Sequence, residues 1–211
     1  MKRGSTNLAV ESALSVSPRI ESRATTLAER LEKILGEKIP GNTPAQSRVR
    51  RTERRARIRM DMTWVTDRIA VGGGIWNADN MMAVSRAGVT HIIDMQVEFD
   101  DTPLAEPHAI EVCWNPVDDD FEPKPPEVFE RGVEFGLAAL EEDESKLLVH
   151  CAAGVHRAPM MTLALLGVMG WSVDDAMDLI ETRRPAADFA EVYVRSVERF
   201  LKGRRGRADF A

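Results

Sequence analysis

Short apolar runs alternate with longer amphipathic stretches along the chain beyond residue 60. The short runs predict four strands, at residues 69–71, 89–94, 110–114 and 147–150. In the longer stretches apolar residues recur every three or four positions, which predicts helices at residues 77–87, 126–140, 159–169, 173–183 and 189–201. This alternation predicts an α/β fold with a small, mostly parallel central sheet flanked by helices.

The first 59 residues have a different pattern. Apolar residues recur at helical spacing between Ile20 and Leu35 and end at Gly36, which predicts one amphipathic helix. A Pro- and Gly-containing break at residues 40–44 separates it from a basic cluster of Arg48, Arg50, Arg51, Arg54, Arg55, Arg57 and Arg59. We therefore predict a basic N-terminal extension at residues 1–59, one catalytic domain at residues 60–204 and a tail at residues 205–211.

Charge separates these regions further. Residues 1–59 carry a net charge of +8, whereas the whole chain carries −6, so the rest is strongly acidic. The basic extension predicts an anionic partner or self-association, although a solvated linker is the simpler interpretation.

Composition favours an intracellular globular protein. The chain has 211 residues, 44% of them hydrophobic, and two cysteines, which argues against a disulfide scaffold. Its sequence predicts no membrane span, because no stretch approaches the roughly 18 apolar residues that one needs. No apolar region follows Met1-Lys-Arg3, so we expect no secretory signal and predict a cytoplasmic location.

The most informative motif follows the strand at residues 147–150. Cys151 is separated from Arg157 by Ala152, Ala153, Gly154, Val155 and His156, and a helix is predicted to begin just beyond. Backbone N–H groups at a helix N-terminus have no intrahelical acceptors, so those of residues 152–157 can converge on an anion. The helix dipole favours the thiolate form of Cys151, and the Arg157 guanidinium matches two phosphate oxygens.

Three segments together resemble a known family. Residues 149–157 resemble the His-Cys-x-x-Gly-x-x-Arg signature loop of the cysteine-dependent phosphatases, and within them the compact dual-specificity type. Asn115-Pro-Val-Asp-Asp119 is similar to the segment that carries the general acid of that family. The Ile-x-x-x-Arg-Pro ending at residues 180–185 is similar to the helix that follows the loop, and the resemblance covers residues 62–202.

The resemblance implies a phosphocysteine mechanism. Cys151 would attack phosphorus, while Arg157 and the amides of the phosphate-binding loop would hold the equatorial oxygens. Asp119 would be the general acid, with Asp120 as the alternative, although acidic loop residues such as these and Asp118 are commonly just solvated. His150 would support the cysteine from behind through a hydrogen bond to neighbouring backbone. Neither a metal nor another cofactor is implied.

Two positions depart from the usual family pattern. Ala158 stands where Ser or Thr is usual, so a hydroxyl donor to the Cys151 sulfur is missing, and His156 is bulkier than usual. The Arg-Ala-Pro ending is similar to plant glucan phosphatases. The implied substrate is a phosphorylated protein, carrying phosphotyrosine and also phosphoserine or phosphothreonine. A phosphoglucan or other non-protein phosphatase, and a non-catalytic phosphate-binding pseudophosphatase, stay open as alternatives.

Other candidate groups are weaker. Cys113 lies in an apolar strand that is predicted to be buried, so an inert core thiol is expected, and a disulfide with Cys151 is a minor alternative. His91 and His108 have no metal-ligand spacing to other residues, so no metal site is expected.

Overall fold

Five strands and six α-helices make up the part of the chain, residues 60–208, that the computed structural model describes. The strands are β1 (Met62–Trp64), β2 (Ile69–Gly72), β3 (His91–Asp94), β4 (Glu111–Trp114) and β5 (Leu147–His150). The helices are α1 (Ala78–Arg86), α2 (Thr102–Ala105), α3 (Pro126–Glu141), α4 (Arg157–Val168), α5 (Val173–Arg183) and α6 (Glu191–Ala208), with a 3₁₀ turn at Glu106–His108. The predicted helix and basic cluster of residues 1–59 lie outside the described residues.

The strands form one sheet in the order β1-β2-β5-β3-β4. Strands β2, β5, β3 and β4 are parallel to one another, whereas β1 is antiparallel to β2. This confirms the predicted α/β fold with a mostly parallel sheet. Strand β1 was not predicted, because three residues are too few to show an alternating pattern.

Alternate residues of the central strands face two separate apolar clusters. Val71, Ile93 and Val149 pack on one face with the larger group of helices, which includes α3, α4 and α6. Ala70, Ile92 and Leu148 pack on the opposite face with α1. Both faces of the sheet are therefore covered, as expected of parallel strands with continuous apolar sequences.

Helix α4 is enclosed by the rest of the protein. Each residue from Arg157 to Gly167 is buried, in agreement with the apolar sequence of this segment. Phe129 and Val133 of α3, and Val197 and Leu201 of α6, belong to the same apolar cluster as its side chains. This packing fixes the N-terminal end of α4 directly after β5.

Strand β4 is an edge strand, which corrects the prediction of a buried strand around Cys113. Cys113 is only half-buried, and Glu111 and Trp114 are exposed. Burial still raises the pKa of the Cys113 thiol, so it stays in the unreactive thiol form. Ile93 pairs with Cys113 on one side and with Val149 on the other, so β3 separates the two cysteine-bearing segments.

The segments that carry Cys113 and Cys151 are two strand spacings apart, which is roughly 10 Å. The Cα atoms of a disulfide lie no more than about 7 Å apart. The minor alternative of a Cys113–Cys151 disulfide is therefore wrong.

Two further features differ from the predicted elements. Helix α6 continues to Ala208, so its predicted end at residue 201 is too early and the boundary after residue 204 falls inside the helix. Helix α2 and the following 3₁₀ turn were not predicted, because each contains a proline and is shorter than two turns. Within residues 60–208, no helix combines the length and apolar character needed to cross a membrane.

Candidate active site

The loop between β5 and α4 wraps around the Cys151 sulfur. The N–H of Gly154 donates to Cys151 Sγ at 3.2 Å, and Cys151 itself is buried. Gly154 has φ of +66°, and a Cβ at this position would lie 2.5 Å from the Gly72 carbonyl oxygen. Only glycine allows this close approach of the loop to the end of β2.

Arg157, the first residue of α4, is held in a fixed orientation. Its Nη2 donates to Glu98 Oε1 at 2.8 Å, and its Nη1 donates to Glu98 Oε2 at 3.0 Å and to the Val117 carbonyl at 3.1 Å. Burial opposes the charged form, but the hydrogen bonds that Arg157 donates to Glu98, and the charge of the nearby Cys151, raise the pKa of Arg157. The same hydrogen bonding to Arg157 lowers the pKa of Glu98.

The Nε donor of Arg157 is not used in these hydrogen bonds. Its Nε is buried and has no hydrogen-bond acceptor among residues 60–208. Because a buried donor without an acceptor is costly, this N–H marks a place where an anion would be stabilised. Together with the N–H groups at the start of α4, it gives the site several converging donors.

The three neighbouring aspartates occupy different environments. Asp119 Oδ2 lies 3.8 Å from Arg157 Nε and 3.1 Å from His156 Nδ1, and Asp119 Oδ1 accepts from the Tyr193 hydroxyl at 3.0 Å. Asp120 instead pairs with Lys124, which lowers the pKa of the Asp120 carboxyl. Asp118 is exposed. The structure thus brings Asp119, and not Asp120, next to Arg157.

His156 takes part in this network. Besides Asp119, its ring contacts Asp188 Oδ2 through Nε2 at 3.3 Å. The bulky side chain therefore joins the loop that carries Asp119 to the segment after α5.

His150 lies behind the loop and is fully buried. Its Nε2 is 2.9 Å from Asp101 Oδ2 and 3.6 Å from Asp94 Oδ1. The expected hydrogen bond from the ring to neighbouring backbone does not occur among residues 60–208. Burial raises the pKa of Asp94 to about 6, despite the opposing effect of His150.

Within residues 60–208, these three side chains also form the one group whose spacing could hold a cation, with ligand atoms within 4.8 Å of one another. No local sequence pattern marks this group, because its members come from separate segments.

Arg184, from the Ile-x-x-x-Arg-Pro ending, supports the loop from the other side. Its Nε donates to the Gly154 carbonyl at 2.8 Å, and its Nη1 and Nη2 donate to the Asp61 carboxylate at 2.9 and 2.7 Å. Arg184 is buried although Asp61 is largely exposed. The start of the described domain is therefore joined to the catalytic loop.

Sequence reasoning missed Glu98, Tyr193 and Asp61 as parts of the site. Glu98 follows β3 at the carboxyl edge of the parallel sheet, where such folds place ligands, and this was the one available signal. Tyr193 and Asp61 lie in segments near the two ends of the described residues, and no local pattern marks them.

Comparisons with known proteins show which family this chain resembles. The family model for the dual specificity phosphatase catalytic domain matches residues 76–200. The Arabidopsis thaliana protein-tyrosine-phosphatase IBR5 is 29% identical over 76 residues, which cover 36% of this chain and 29% of that protein. The Mus musculus protein tyrosine phosphatase type IVA 3 is 32% identical over 106 residues, which cover 49% of this chain and 60% of that protein. Each match thus spans less than two thirds of the relative's length.

Solved structures share the fold at low sequence identity. A crystal structure of PTPMT1 in complex with PI(5)P superposes with a TM-score of 0.63 at 19% identity, covering 70% of this chain and 99% of that one. A mouse putative dual specificity phosphatase complexed with zinc tungstate gives a TM-score of 0.59 at 20% identity, covering 72% of this chain and 93% of that one. The family model spans more than half of the sequence and includes the loop from Cys151 to Arg157, so the chain belongs to the dual specificity phosphatase family.

Proposed function

We propose that this chain is a dual-specificity protein phosphatase that hydrolyses phosphomonoesters through a phosphocysteine on Cys151. The observation that carries the proposal is the arrangement of donors around the sulfur: the Gly154 N–H at 3.2 Å and the start of α4 with the buried Nε of Arg157, which has no hydrogen-bond acceptor among residues 60–208. Such donors stabilise both a thiolate and the phosphoryl group that it attacks.

In the first step, Cys151 Sγ forms a bond to phosphorus as the bond to the leaving oxygen breaks. Arg157 and the loop amides hold the three remaining oxygens, and Asp119 gives its proton to the leaving oxygen. In the second step, Asp119 takes a proton from water as the water oxygen attacks phosphorus. The sulfur–phosphorus bond breaks, which releases inorganic phosphate and restores the thiolate.

Asp119 is the proposed acid because of its surroundings. It lies beside Arg157 and is held by two further side chains, whereas Asp120 is engaged by Lys124. His150 would act only through the loop, since its ring contacts carboxylates behind it.

A phosphorylated protein is the proposed substrate. The curated relatives that match this chain are named as protein phosphatases, and the exposed Phe121 ring packs at the edge of the site against His156, where it can contact an aromatic phosphoresidue. We keep the predicted cytoplasmic location as part of this proposal, because a reducing compartment preserves a catalytic thiol.

A non-protein substrate is the second candidate. The similar fold of PTPMT1 has been crystallised with PI(5)P, and Ala158 matches the pattern of plant glucan phosphatases. Both substrates would use the same phosphate-binding loop.

The test is hydrolysis of 4-nitrophenyl phosphate in the presence of a chelator by the natural chain, by Cys151→Ser and by the matched control Cys113→Ser. We expect turnover that Cys151→Ser abolishes and Cys113→Ser preserves. Phosphate binding without turnover by the natural chain would contradict the proposal and identify a pseudophosphatase.

A substrate panel follows. Equal amounts of phosphotyrosine and phosphothreonine peptides, PI(5)P in vesicles and a phosphorylated glucan are compared by phosphate release. A higher kcat/KM on the peptides supports a protein phosphatase. A higher kcat/KM on the lipid or the glucan would show that the substrate is not a protein.

A further inference from the structure

We infer that Tyr193 is a positioning residue that holds the Asp119 carboxylate in place for proton transfer. The inference rests on the proposed function, because it assigns a role to Tyr193 in the reaction of Asp119. Tyr193 is the only tyrosine of the 211-residue chain, and it lies on α6, outside every segment of the signature motif.

The direction of the hydrogen bonds at Tyr193 is fixed by their chemistry. The backbone N–H of Phe121 can only donate, and it lies 2.9 Å from the Tyr193 hydroxyl oxygen. That hydroxyl has one proton, which it donates to Asp119 Oδ1 at 3.0 Å. A single buried hydroxyl therefore joins two points of the loop that carries the acid.

The phenol keeps this proton at neutral pH. Burial, together with the neighbouring Asp119 carboxylate, raises the pKa of Tyr193 to about 12. Tyr193 is 1% exposed, so water does not compete for its hydroxyl.

The loop adopts a conformation that needs outside support. Phe121 has φ of +58°, a left-handed conformation that is unfavourable for a residue with a side chain. Its ring stacks on Tyr193 with centroids 5.8 Å apart and meets the His156 ring edge-on at 5.0 Å. The contacts with Tyr193 and His156 therefore maintain the turn between Asp119 and Glu122.

Helix α6 contacts the same loop at a second point. Ser196 Oγ accepts from the N–H of Lys124 at 3.1 Å, and Lys124 Nζ lies over the Tyr193 ring at 5.4 Å. Residues 193 and 196 share one face of the helix. Only the contact from Tyr193 reaches Asp119, so Ser196 offers a matched control.

Loss of the hydroxyl should impair proton donation more than phosphate binding. Without it, Asp119 keeps His156 as its hydrogen-bond partner but loses the support on Oδ1, and the Phe121 N–H loses its acceptor. Proton transfer requires heavy atoms at hydrogen-bond distance, and a displacement of about 1 Å can reduce the rate about 10²-fold. The hydrogen bonds of the Tyr193 hydroxyl go to Phe121 and Asp119 and not to the Cys151 loop, so phosphate binding should persist.

The experiment compares kcat/KM for phenyl phosphate and 4-nitrophenyl phosphate in the natural chain, Tyr193→Phe and Ser196→Ala. This parameter reports the steps up to phosphocysteine formation. Phenolate is a poor leaving group that needs a proton, whereas 4-nitrophenolate leaves more easily without one. For Tyr193→Phe we expect a roughly 10- to 100-fold loss on phenyl phosphate and a loss below about threefold on 4-nitrophenyl phosphate.

The ratio of the two values is independent of the fraction of folded enzyme, so loss of stability does not mimic this result. Ser196→Ala should change both substrates by the same small factor. An equal effect of Tyr193→Phe on both substrates, or none, would overturn the inference. If the natural chain hydrolyses neither ester, the proposed function fails instead.

A second measurement does not depend on turnover. Labelling with 3-fluorotyrosine introduces one fluorine probe, at position 193, whose phenol can be titrated by NMR. Asp119→Asn should lower the phenol pKa, since the neighbouring negative charge is removed, and Asp120→Asn should lower it less. An unchanged titration in Asp119→Asn would refute the contact itself.

Discussion

Replacing Arg184 with alanine tests whether the loop from Cys151 to Arg157 depends on the side chain of Arg184, the residue that follows α5. Arg184 is 4% exposed and donates to the Gly154 carbonyl and to both oxygens of Asp61. The Gly154 carbonyl would lose its charged donor in Arg184→Ala, and the Ala153 carbonyl would lose a longer hydrogen bond from the same side chain.

The magnitude can be estimated from these contacts. A buried hydrogen bond from a charged group contributes about 1.5–3 kcal/mol, and an ion pair with a largely exposed carboxylate adds about 0–1 kcal/mol. We therefore expect Arg184→Ala to lower the free energy of unfolding by about 2–4 kcal/mol. Because the loop amides would lose alignment, kcat/KM should fall about 10²-fold.

Urea unfolding followed by tryptophan fluorescence measures the first quantity, and hydrolysis of 4-nitrophenyl phosphate measures the second. The exposed neighbour Arg183 provides the matched control, and Arg183→Ala should change the free energy of unfolding by no more than about 0.5 kcal/mol. Asp61→Asn separates the ion pair from the contact with Gly154 and should cost less than about 1 kcal/mol. An Arg184→Ala enzyme with the stability and kcat/KM of Arg183→Ala would refute the reasoning.

Three further predictions concern other parts of the site. Burial raises the pKa of Asp94 to about 6 from its ordinary 3.8, so the folded state binds the Asp94 proton more tightly than the unfolded state does. The protonated carboxyl therefore contributes to stability below about pH 4, and this contribution is lost as the pH rises through about 6. The free energy of unfolding of the natural chain minus that of Asp94→Asn should therefore fall by about 2 kcal/mol between pH 4 and 7, and a constant difference in urea titrations would contradict this. Asp119→Ala should reduce kcat by about 10²- to 10⁴-fold, and a larger loss in Asp120→Ala would move the acid to that residue. Ala158→Ser should speed phosphocysteine breakdown, seen as a smaller burst in rapid-quench kinetics; an unchanged burst would count against a role for the missing hydroxyl.

The sequence predicted those parts of the fold that have a local pattern. Strand β5 and helix α5 match their predicted bounds, because the apolar run of one and the helical periodicity of the other are contained in a few neighbouring residues. The edge position of β4 was not predictable in this way. Strand order is decided by contacts between distant segments, and an edge strand with two apolar central residues resembles a buried one.

The same distinction applies to the candidate site. Cys151 and Arg157 could be proposed from the sequence because both lie in one loop before one helix. The choice between Asp119 and Asp120 depended on side-chain contacts that the sequence does not show, since the distant His156 and Tyr193 surround one carboxylate and the nearby Lys124 engages the other. Glu98 could not be assigned from sequence, because its role arises only when β3 and β5 lie side by side.

The enclosure of α4 has a consequence for how the loop responds to ionic strength. Every residue from Arg157 to Gly167 is buried, so dissolved ions cannot approach the sides of this helix. Mobile ions screen exposed charges over a Debye length of about 8 Å at physiological salt, but they screen buried dipoles much less. The field that α4 directs at the loop is therefore set by the surrounding protein, and sodium chloride should weaken phosphate binding here less than it weakens binding to an exposed cluster of basic side chains.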